Sequence, residues 1–233
     1  MTPPITAIVP AAGVGSRMQA DRPKQYLLLN NKTVLEHTVD RLLAHAHVDK
    51  VVIAIGEHDP YFSQLPLAQH PRVIQAVGGK ERADTVLNAL RLVMEQALSE
   101  WVMVHDAARP CVRHHDISQL IQQALAHPVG AILASPVRDT MKRGDDGGHI
   151  DHTVERHRLW HALTPQMFRC IPLLKALELA VSEQQVITDE ASAFEYQGLA
   201  PLLVQGRADN IKITQPEDLA LAEFYLTRMK DIL

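Results

Sequence analysis

Cysteines and long hydrophobic runs are scarce in this sequence. Of its 233 residues two are cysteines, Cys111 and Cys170, too few and too far apart for a disulfide framework. No apolar run approaches the roughly 20 residues that a membrane-spanning helix needs. The N-terminal residues show neither the charged nor the apolar region of a secretory signal. We therefore expect a cytoplasmic protein with no membrane partner.

An excess of basic charge is also missing. The sequence has 23 Lys and Arg against 27 Asp and Glu, which gives a formal net charge of −4. Proteins that bind nucleic acids generally have a basic surface and a high pI, so we expect no nucleic-acid partner. Any site for a small anion must be a local concentration of Arg and Lys.

The sequence also lacks the signatures of a serine hydrolase and of a zinc site. No G-x-S-x-G motif is present, so a serine hydrolase is unsupported. The histidine pairs 149/152 and 157/161 have metal-like spacings but no evident third ligand nearby. Hydrogen-bonded or solvated histidines are therefore favoured over a zinc site.

Short apolar runs alternate with amphipathic stretches along most of the chain. This alternation is typical of an α/β protein with a mostly parallel, buried and twisted sheet and helices on both faces. We predict a single domain over residues 1–233. The predicted strands are 5–10, 50–56, 72–77, 101–105, 129–135 and 201–205, and the predicted helices are 33–46, 81–98, 116–127, 172–183, 188–197 and 216–231.

Residues 136–157 interrupt this alternation and read as a β-hairpin with a turn rich in Gly and Asp. An isolated two-stranded ribbon is only marginally stable in water. The hairpin is therefore predicted to be an arm that packs on a second copy of the chain, forming a homodimer. The alternative is a surface flap that folds onto its own domain.

The loop after the first strand carries the strongest functional signal. Gly13 and Gly15 allow a ligand to approach the backbone, whose N–H groups can cradle an anion. Arg17 and Lys24 add two cations, which suits a triphosphate. Met18 stands where a dinucleotide fingerprint has its third glycine, and no Gly-Lys-Ser/Thr of a P-loop follows. An ordinary βα turn with solvated cations remains the alternative.

Three more polar loops follow predicted strands, at 78–85, 106–110 and 206–212. Ligands of parallel sheets bind beyond the carboxyl ends of the strands, so the four loops should converge on one edge. Taken singly, each loop could equally be a capped turn, an ion pair or a solvated turn.

Acidic and basic side chains in these loops suggest a metal and phosphate site. Asp106, at the end of an apolar strand, is suited to Mg²⁺, which uses one or two carboxylates plus substrate phosphates. Asp209 could complete a two-carboxylate site, and Lys212 would add a cation. Arg109 could grip a phosphate, or it could form an ion pair with Asp106 that closes the loop.

Eight motifs together resemble the 2-C-methyl-D-erythritol 4-phosphate cytidylyltransferases of the non-mevalonate isoprenoid route. The resemblance covers nearly the whole chain, and the motifs occur in the family's order. It implies a Rossmann-like nucleotidyltransferase fold. The motifs are P-A-A-G-x-G-x-R-M (10–18), P-K-Q-Y (23–26), E-R-A-D (81–84), H-D-A-A-R-P (105–110), R-D-T-M-K (138–142), L-W-H-A-L-T-P-Q (159–166), T-D-E-A (188–191) and G-R-A-D-N-I-K (206–212).

The resemblance also implies the reaction and its residues. The family transfers a cytidylyl group from CTP to methylerythritol phosphate with Mg²⁺, and its arm arginine serves the partner subunit's site. The implied catalytic residues are Arg17, Lys24, Arg156 and Lys212. The residues implied to hold CTP are Pro10, Ala11, Ala12, Gly13, Gly15, Gly79, Arg82, Ala83, Asp84, Thr85, Asp106 and Ala107. Those implied to hold the second substrate are Arg109, Thr140, Arg156, Thr164, Thr188 and Lys212, and the predicted metal ligands are Asp106 and Asp209.

Three other functions remain open from the sequence. A related cytidylyltransferase, for example one acting on ribitol 5-phosphate, would share the nucleotide half. A nicotinamide-dependent oxidoreductase is disfavoured by Met18 and by the extra cations. A nucleotide sensor would bind CTP without releasing pyrophosphate.

Overall fold

A seven-stranded sheet lies at the centre of the fold. The computed structural model describes residues 2–13, 18 and 20–230, with the backbone alone for residue 230. The strands along the chain are β1 (Ile5–Pro10), β2 (Leu28–Leu29), β3 (Lys32–Thr33), β4 (Val48–Ile55), β5 (Val73–Val77), β6 (Trp101–Val104), β7 (Gly130–Pro136), β8 (Met141–Gly144), β9 (Ile150–Val154), β10 (Trp160–Arg169) and β11 (Leu202–Gln205). The central sheet has the order β11–β7–β10–β6–β1–β4–β5. Its neighbours pair in parallel except where β10 meets β6 and β7, which confirms the predicted α/β class.

Helices cover both faces of the sheet, as predicted. They are α1 (Val34–Leu43), α2 (Arg82–Glu95), α3 (His114–Ala126), α4 (Cys170–Ser182), α5 (Glu190–Tyr196) and α6 (Glu217–Lys230). The apolar sides of α1 and α3 pack on one face of the sheet. Those of α2, α4 and α5 pack on the other. Alternate residues of each inner strand therefore enter different cores, which explains why these strands are apolar throughout.

Helix α6 belongs to a third, smaller core. Ala222, Leu226 and Met229 pack there with Cys111 and Ile213. Ile213 also donates its backbone N–H to the Ala108 carbonyl, 2.9 Å away. The end of the 206–212 loop is thereby attached to the loop that follows β6. No helix in the described ranges is long and apolar enough to cross a membrane.

Strand β10 is absent from the sequence prediction. It runs antiparallel between β6 and β7, and its register with β7 is irregular between Ala162 and Gln166. Pro165 lies inside that irregular stretch. A proline inside a run argues against a strand, because it cannot donate to the ladder, but bulges tolerate it. The irregularity accommodates Pro165 and leaves Thr164 beside the end of β6.

The 136–157 segment contains the predicted hairpin. Strands β8 and β9 form a separate two-stranded sheet. All residues of the two strands except Val154 are exposed in this single chain, and Ile150 has 67% of its surface exposed. The hairpin therefore does not lie folded against the core of its own chain.

Candidate active site

The loops at the carboxyl ends of β1, β5 and β6 meet around a cleft of about 330 Å³, which we call the first cleft. Lys212, from the loop that follows β11, also reaches it. The predicted CTP residues that line the first cleft are Pro10, Ala11, Ala12, Gly13, Gly79, Arg82, Thr85, Asp106 and Ala107, together with the predicted catalytic residues Lys24 and Lys212. A groove of about 610 Å³ between α3 and β11 is larger, but none of the predicted site residues that the structure describes lines it.

Asp106 is the centre of a cluster of positive charge. Its carboxylate lies 3.1 Å from Nε of Arg109, 3.0 Å from Nζ of Lys212 and 3.4 Å from a terminal nitrogen of Arg82. Burial alone would raise the pKa of Asp106, but the three cations outweigh burial and hold that pKa well below its usual range. The carboxylate is therefore ionised at every pH at which the protein would function.

Arg82, at the start of α2, joins Asp106 to a second buried carboxylate. Its two terminal nitrogens lie 2.6 and 3.2 Å from the Glu190 carboxylate oxygens, and Glu190 is only 1% exposed. Burial would lower the pKa of Arg82, but Glu190 and Asp106 more than offset that effect and the pKa is raised. Glu190 lies in the first turn of α5, two residues after Thr188. Arg82 thus connects α2 to the segment that carries Thr188.

A smaller cavity of about 180 Å³, which we call the second cavity, adjoins the first cleft. Arg82, Asp106 and Lys212 line both, so this charged cluster forms the wall between them. The residues predicted to bind the second substrate that line it are Arg109, Thr164, Thr188 and Lys212. Two anions bound on either side of this wall would share the same cations.

Arg109 has contacts of the kind that close a loop. Besides its ion pair with Asp106, it donates from a terminal nitrogen to the Asn210 carbonyl at 2.8 Å. Asn210 in turn donates its side-chain amide to the Thr164 carbonyl at 2.7 Å. Arg109 therefore links the loops after β6 and β11. Its ion pair with Asp106 is the alternative that the sequence left open, and Arg109 also lines the second cavity.

His105 orients the backbone beneath Asp106. It is fully buried, and its Nε2 lies 3.0 Å from the Arg109 carbonyl, which can only accept a hydrogen bond. Nε2 must therefore donate, and in the neutral ring Nδ1 then accepts from the Thr164 hydroxyl at 2.9 Å. The same hydroxyl oxygen accepts from the Asp106 N–H at 3.1 Å. This arrangement requires neutral His105, and burial accordingly lowers its pKa to about 4.

The low pKa of His105 predicts a pH-dependent stability. In the unfolded chain the imidazole takes up a proton near pH 6.5, whereas in the folded chain it does so only near pH 4. The unfolded state binds more protons between these values, so stability is lost as the pH falls from 6.5 towards 4. A shift of this size corresponds to about 3 kcal/mol.

Urea unfolding at pH values from 7 to 4.5 would measure this dependence. His45, whose pKa burial also lowers to about 4, contributes in the same direction. The variant His105→Gln keeps a neutral side chain in place, and its free energy of unfolding should fall less steeply than that of the unchanged protein. Equal slopes for the two proteins would contradict the assignment.

The loop before α2 depends on Gly79 and Thr85. The Thr85 hydroxyl donates to the Glu81 carbonyl and accepts from the Gly79 N–H, each at 3.0 Å. A Cβ at Gly79 would lie 2.3 Å from that of Asp84, so the turn requires glycine. Asp84 accepts from the Glu81 N–H at 3.0 Å, and neither Asp84 nor Ala83 is among the described residues that line the first cleft. Both are predicted CTP residues that the structure places in the first turn of α2.

Besides Ala83 and Asp84, three further predicted residues in the described ranges line neither cavity. Thr140 and Arg156 are exposed residues of the 136–157 segment, where Arg156 donates to the Arg138 carbonyl. Asp209 lies 2.6 Å from Arg113 and 3.2 Å from Arg207. Asp209 is not among the described residues that line either cavity, whereas Asp106 lines both. The predicted residues Gly15 and Arg17 lie outside the described residues.

Comparison with known proteins gives a consistent result. The sequence profile of the 2-C-methyl-D-erythritol 4-phosphate cytidylyltransferase family matches residues 5–228. This chain belongs to that family. The cytidylyltransferase of Vibrio cholerae serotype O1 is 70% identical over 227 residues, which are 97% of this chain and 98% of the relative. The resemblance seen in the eight motifs is therefore confirmed.

Solved structures agree with the sequence comparison. A crystal structure of a 4-diphosphocytidyl-2C-methyl-D-erythritol synthase superposes with a TM-score of 0.84 at 38% identity, over 96% of this chain and 99% of that one. The Francisella tularensis 2-C-methyl-D-erythritol 4-phosphate cytidylyltransferase gives 0.82 at 36% identity, over 95% and 99%. The nucleotidyltransferase fold expected from the resemblance is confirmed.

Proposed function

We propose that this protein transfers the cytidylyl group of CTP to the phosphate of 2-C-methyl-D-erythritol 4-phosphate and releases pyrophosphate. The observation that carries the proposal is the placement of Lys24, Arg82 and Lys212 around one cleft, together with the membership of the chain in this family. A triphosphate and a sugar phosphate are both anions, and these three cations, with Lys80 in the same cleft, would offset their charge. The reaction joins the substrate phosphate oxygen to the α-phosphorus of CTP as the bond to pyrophosphate breaks.

The attacking group explains why a strong general base is unnecessary. A phosphate monoester is already an anion at neutral pH, so no proton must be removed from it. The difficulty is the approach of two anions, and catalysis should come from positioning and charge neutralisation. In this mechanism Lys24 and Arg17 stabilise charge at the α-phosphate, and Lys212 holds the second phosphate on the other side of Asp106. His105, held neutral and fully hydrogen-bonded, acts by positioning Asp106.

The donor set of the cleft fits a divalent cation such as Mg²⁺. Mg²⁺ is commonly held by one or two carboxylates plus substrate phosphates, and the carboxylate of Asp106 lines the first cleft. No group of three or more acidic, histidine or cysteine side chains among the described residues is arranged as a closed metal site. Asp106 would therefore hold the ion together with the phosphates, because it lines both cavities, whereas Asp209 is not among the described residues that line either one. When bound, the ion would neutralise phosphate charge.

Pyrophosphate release tests the proposal directly. Incubation with CTP, Mg²⁺ and methylerythritol phosphate should release pyrophosphate, and omission of the sugar phosphate should abolish the release. Ribitol 5-phosphate in place of methylerythritol phosphate tests the related activity. Release with ribitol 5-phosphate but not with methylerythritol phosphate would overturn the assignment of the second substrate.

We further propose a cytoplasmic homodimer in which each chain forms one nucleotidyltransferase domain and the 136–157 arm contacts the partner. The exposed Ile150 and Met141 on the arm support this, because an isolated two-stranded hairpin is only marginally stable in water and gains stability by packing. Arg156 supports it as well, since it lies on the arm and not at the cavities of its own chain. In the dimer Arg156 and Thr140 would reach the partner's second substrate.

Replacing Arg156 with alanine should raise KM for the sugar phosphate and leave CTP binding nearly unchanged. The physical reason is that the lost guanidinium would contact the second phosphate and not the triphosphate. Steady-state kinetics with each substrate varied in turn would measure both effects. Arg143→Ala, on the same exposed arm, serves as the matched control and should leave both KM values unchanged.

Mixed dimers test whether Arg156 acts across the interface. At a sugar-phosphate concentration far below the raised KM, Arg156→Ala chains and Lys24→Ala chains should each show little activity, and mixing them should restore activity, since one site of each mixed dimer would be complete. If subunit exchange is demonstrated by mass spectrometry and no activity returns, the shared site is wrong.

A further inference from the structure

Gln25, which has no predicted role in the site, has a buried side chain in the wall of the first cleft. It is 4% exposed, and its Nε2 donates to the Ala11 carbonyl at 2.7 Å and to the Gly13 carbonyl at 3.0 Å. A primary amide nitrogen carries two hydrogens, and both are used here. The side chain therefore joins two carbonyls of the segment that follows β1.

These two bonds fix the direction of backbone groups in the cleft. The Ala11 carbonyl and the Ala12 N–H belong to one planar trans peptide and point in opposite directions. When Gln25 holds the carbonyl, the Ala12 N–H is held on the side away from Gln25. On the other flank, the Ala11 N–H donates to the Ala54 carbonyl at 2.7 Å. The start of the loop is thus fixed from both sides.

The turn that carries Gln25 is itself anchored. Residues Lys24–Tyr26 form a single 3-10 turn. The Tyr26 hydroxyl donates to the Asp59 carboxylate at 2.8 Å, and its ring lies 5.0 Å from that of Tyr61. Lys24, one residue before Gln25, donates to the Ile213 carbonyl at 2.7 Å. One short turn therefore fixes both an ammonium group and an amide clamp.

We propose that Gln25 is a positioning residue for the nucleotide. Its amide holds residues 11–13 at a set distance from Lys24, so that phosphates bound at the loop are presented to that ammonium. Gln25 itself acts through the backbone. The inference rests on the proposed function, because the bound ligand is taken to be the triphosphate of CTP.

The variant Gln25→Glu removes both donors at nearly constant shape. A carboxylate would face two carbonyl oxygens and repel them, which would displace the loop. A misplacement of bound substrate by about 1 Å can cost about 10²-fold in rate. We expect kcat/KM for CTP to fall by about 10²-fold at pH 8, with the melting temperature measured alongside.

The pH dependence distinguishes this role from general damage to the fold. A buried carboxyl beside two carbonyl oxygens has a raised pKa, and once protonated it can donate to one of them. The activity of Gln25→Glu divided by that of the unchanged protein should therefore rise about tenfold as the pH is lowered from 9 to 6, because one of the two hydrogen bonds returns. Lys24, Lys80, Glu81, Arg82, Asp106 and Lys212 line the same cleft in both proteins, so their contributions cancel in the ratio.

Two further variants complete the test. Gln25→Met removes the donors without adding an acid, so it should show a similar loss and no recovery at low pH. Gln64→Glu makes the same exchange at an exposed turn, where Gln64 donates to the Pro60 carbonyl at 2.6 Å, and should behave as the unchanged protein. If Gln25→Glu does not fold, the kinetics of Gln25→Met decide the question.

The outcomes separate the two proposals. Release of pyrophosphate by the unchanged protein, with Gln25→Glu or Gln25→Met equal to it at every pH, would overturn the role of Gln25 alone. An unchanged protein that neither binds CTP in calorimetry nor releases pyrophosphate would overturn the proposed function, and the role of Gln25 with it. Loss in both variants with recovery at low pH in Gln25→Glu alone supports the role.

Discussion

Replacing Lys24 with alanine is expected to lower kcat by about 10²–10³-fold, the usual cost of removing one group that stabilises transition-state charge. KM for CTP should change far less, because the ammonium is needed most when charge develops around the α-phosphate. Lys24 is well suited to this role, since it lines the first cleft and its Nζ lies 2.7 Å from the Ile213 carbonyl. Steady-state kinetics with CTP varied would give both constants.

Lys32→Ala provides a matched control for this experiment. Lys32 also carries an ammonium, but it is exposed and pairs with Asp40 on the surface. Its loss should leave kcat unchanged. A loss in Lys24→Ala confined to KM would show that Lys24 binds the nucleotide without assisting the reaction.

Replacing Arg82 with methionine is expected to lower the free energy of unfolding by about 3–5 kcal/mol, the range for breaking a buried ion pair on one side. The cause is Glu190, which is 1% exposed and would keep a buried charge without its cation. Urea unfolding at pH 7 would measure the change.

A double-mutant cycle separates this effect from simple loss of packing. The double variant Arg82→Met with Glu190→Gln removes both charges, so it should be more stable than Arg82→Met alone. Arg91, which forms a surface ion pair with Glu178 at 3.0 Å, supplies the control, because exposed pairs contribute about 0–1 kcal/mol. Equal losses in Arg82→Met and Arg91→Met would contradict the role given to Glu190.

Much of the fold follows from local patterns. The strands β1, β4, β5, β6, β7 and β11 and the six α-helices of the described residues correspond to predicted elements, because buried parallel strands are apolar runs and their helices are amphipathic. Strand β10 does not follow, because Pro165 argues locally against a strand. It lies between β6 and β7, and its pairing with β7 is irregular at the residues around Pro165.

Some residues of the candidate site can be predicted from the sequence and others cannot. Residues on glycine-bearing or acidic loops, such as Gly79 and Asp106, were identified because their loops follow strands. Gln25, Glu190 and His105 were missed, although each lies within a motif quoted for the resemblance. Gln25 bonds to Ala11, 14 residues away along the chain, Glu190 to Arg82, 108 residues away, and His105 to Thr164, 59 residues away. No local sequence spacing encodes such contacts.

The sequence by itself determined the α/β class, the family and the four polar loops, because periodicity, strand ends and motif order are properties of neighbouring residues. The tertiary structure decided how the charges in those loops are used. It placed Asp106 among three cations, gave Asp209 to Arg113 and Arg207, and set Arg82 between two carboxylates. The strength of an ion pair depends on distance and burial, and both are fixed only when distant segments pack together.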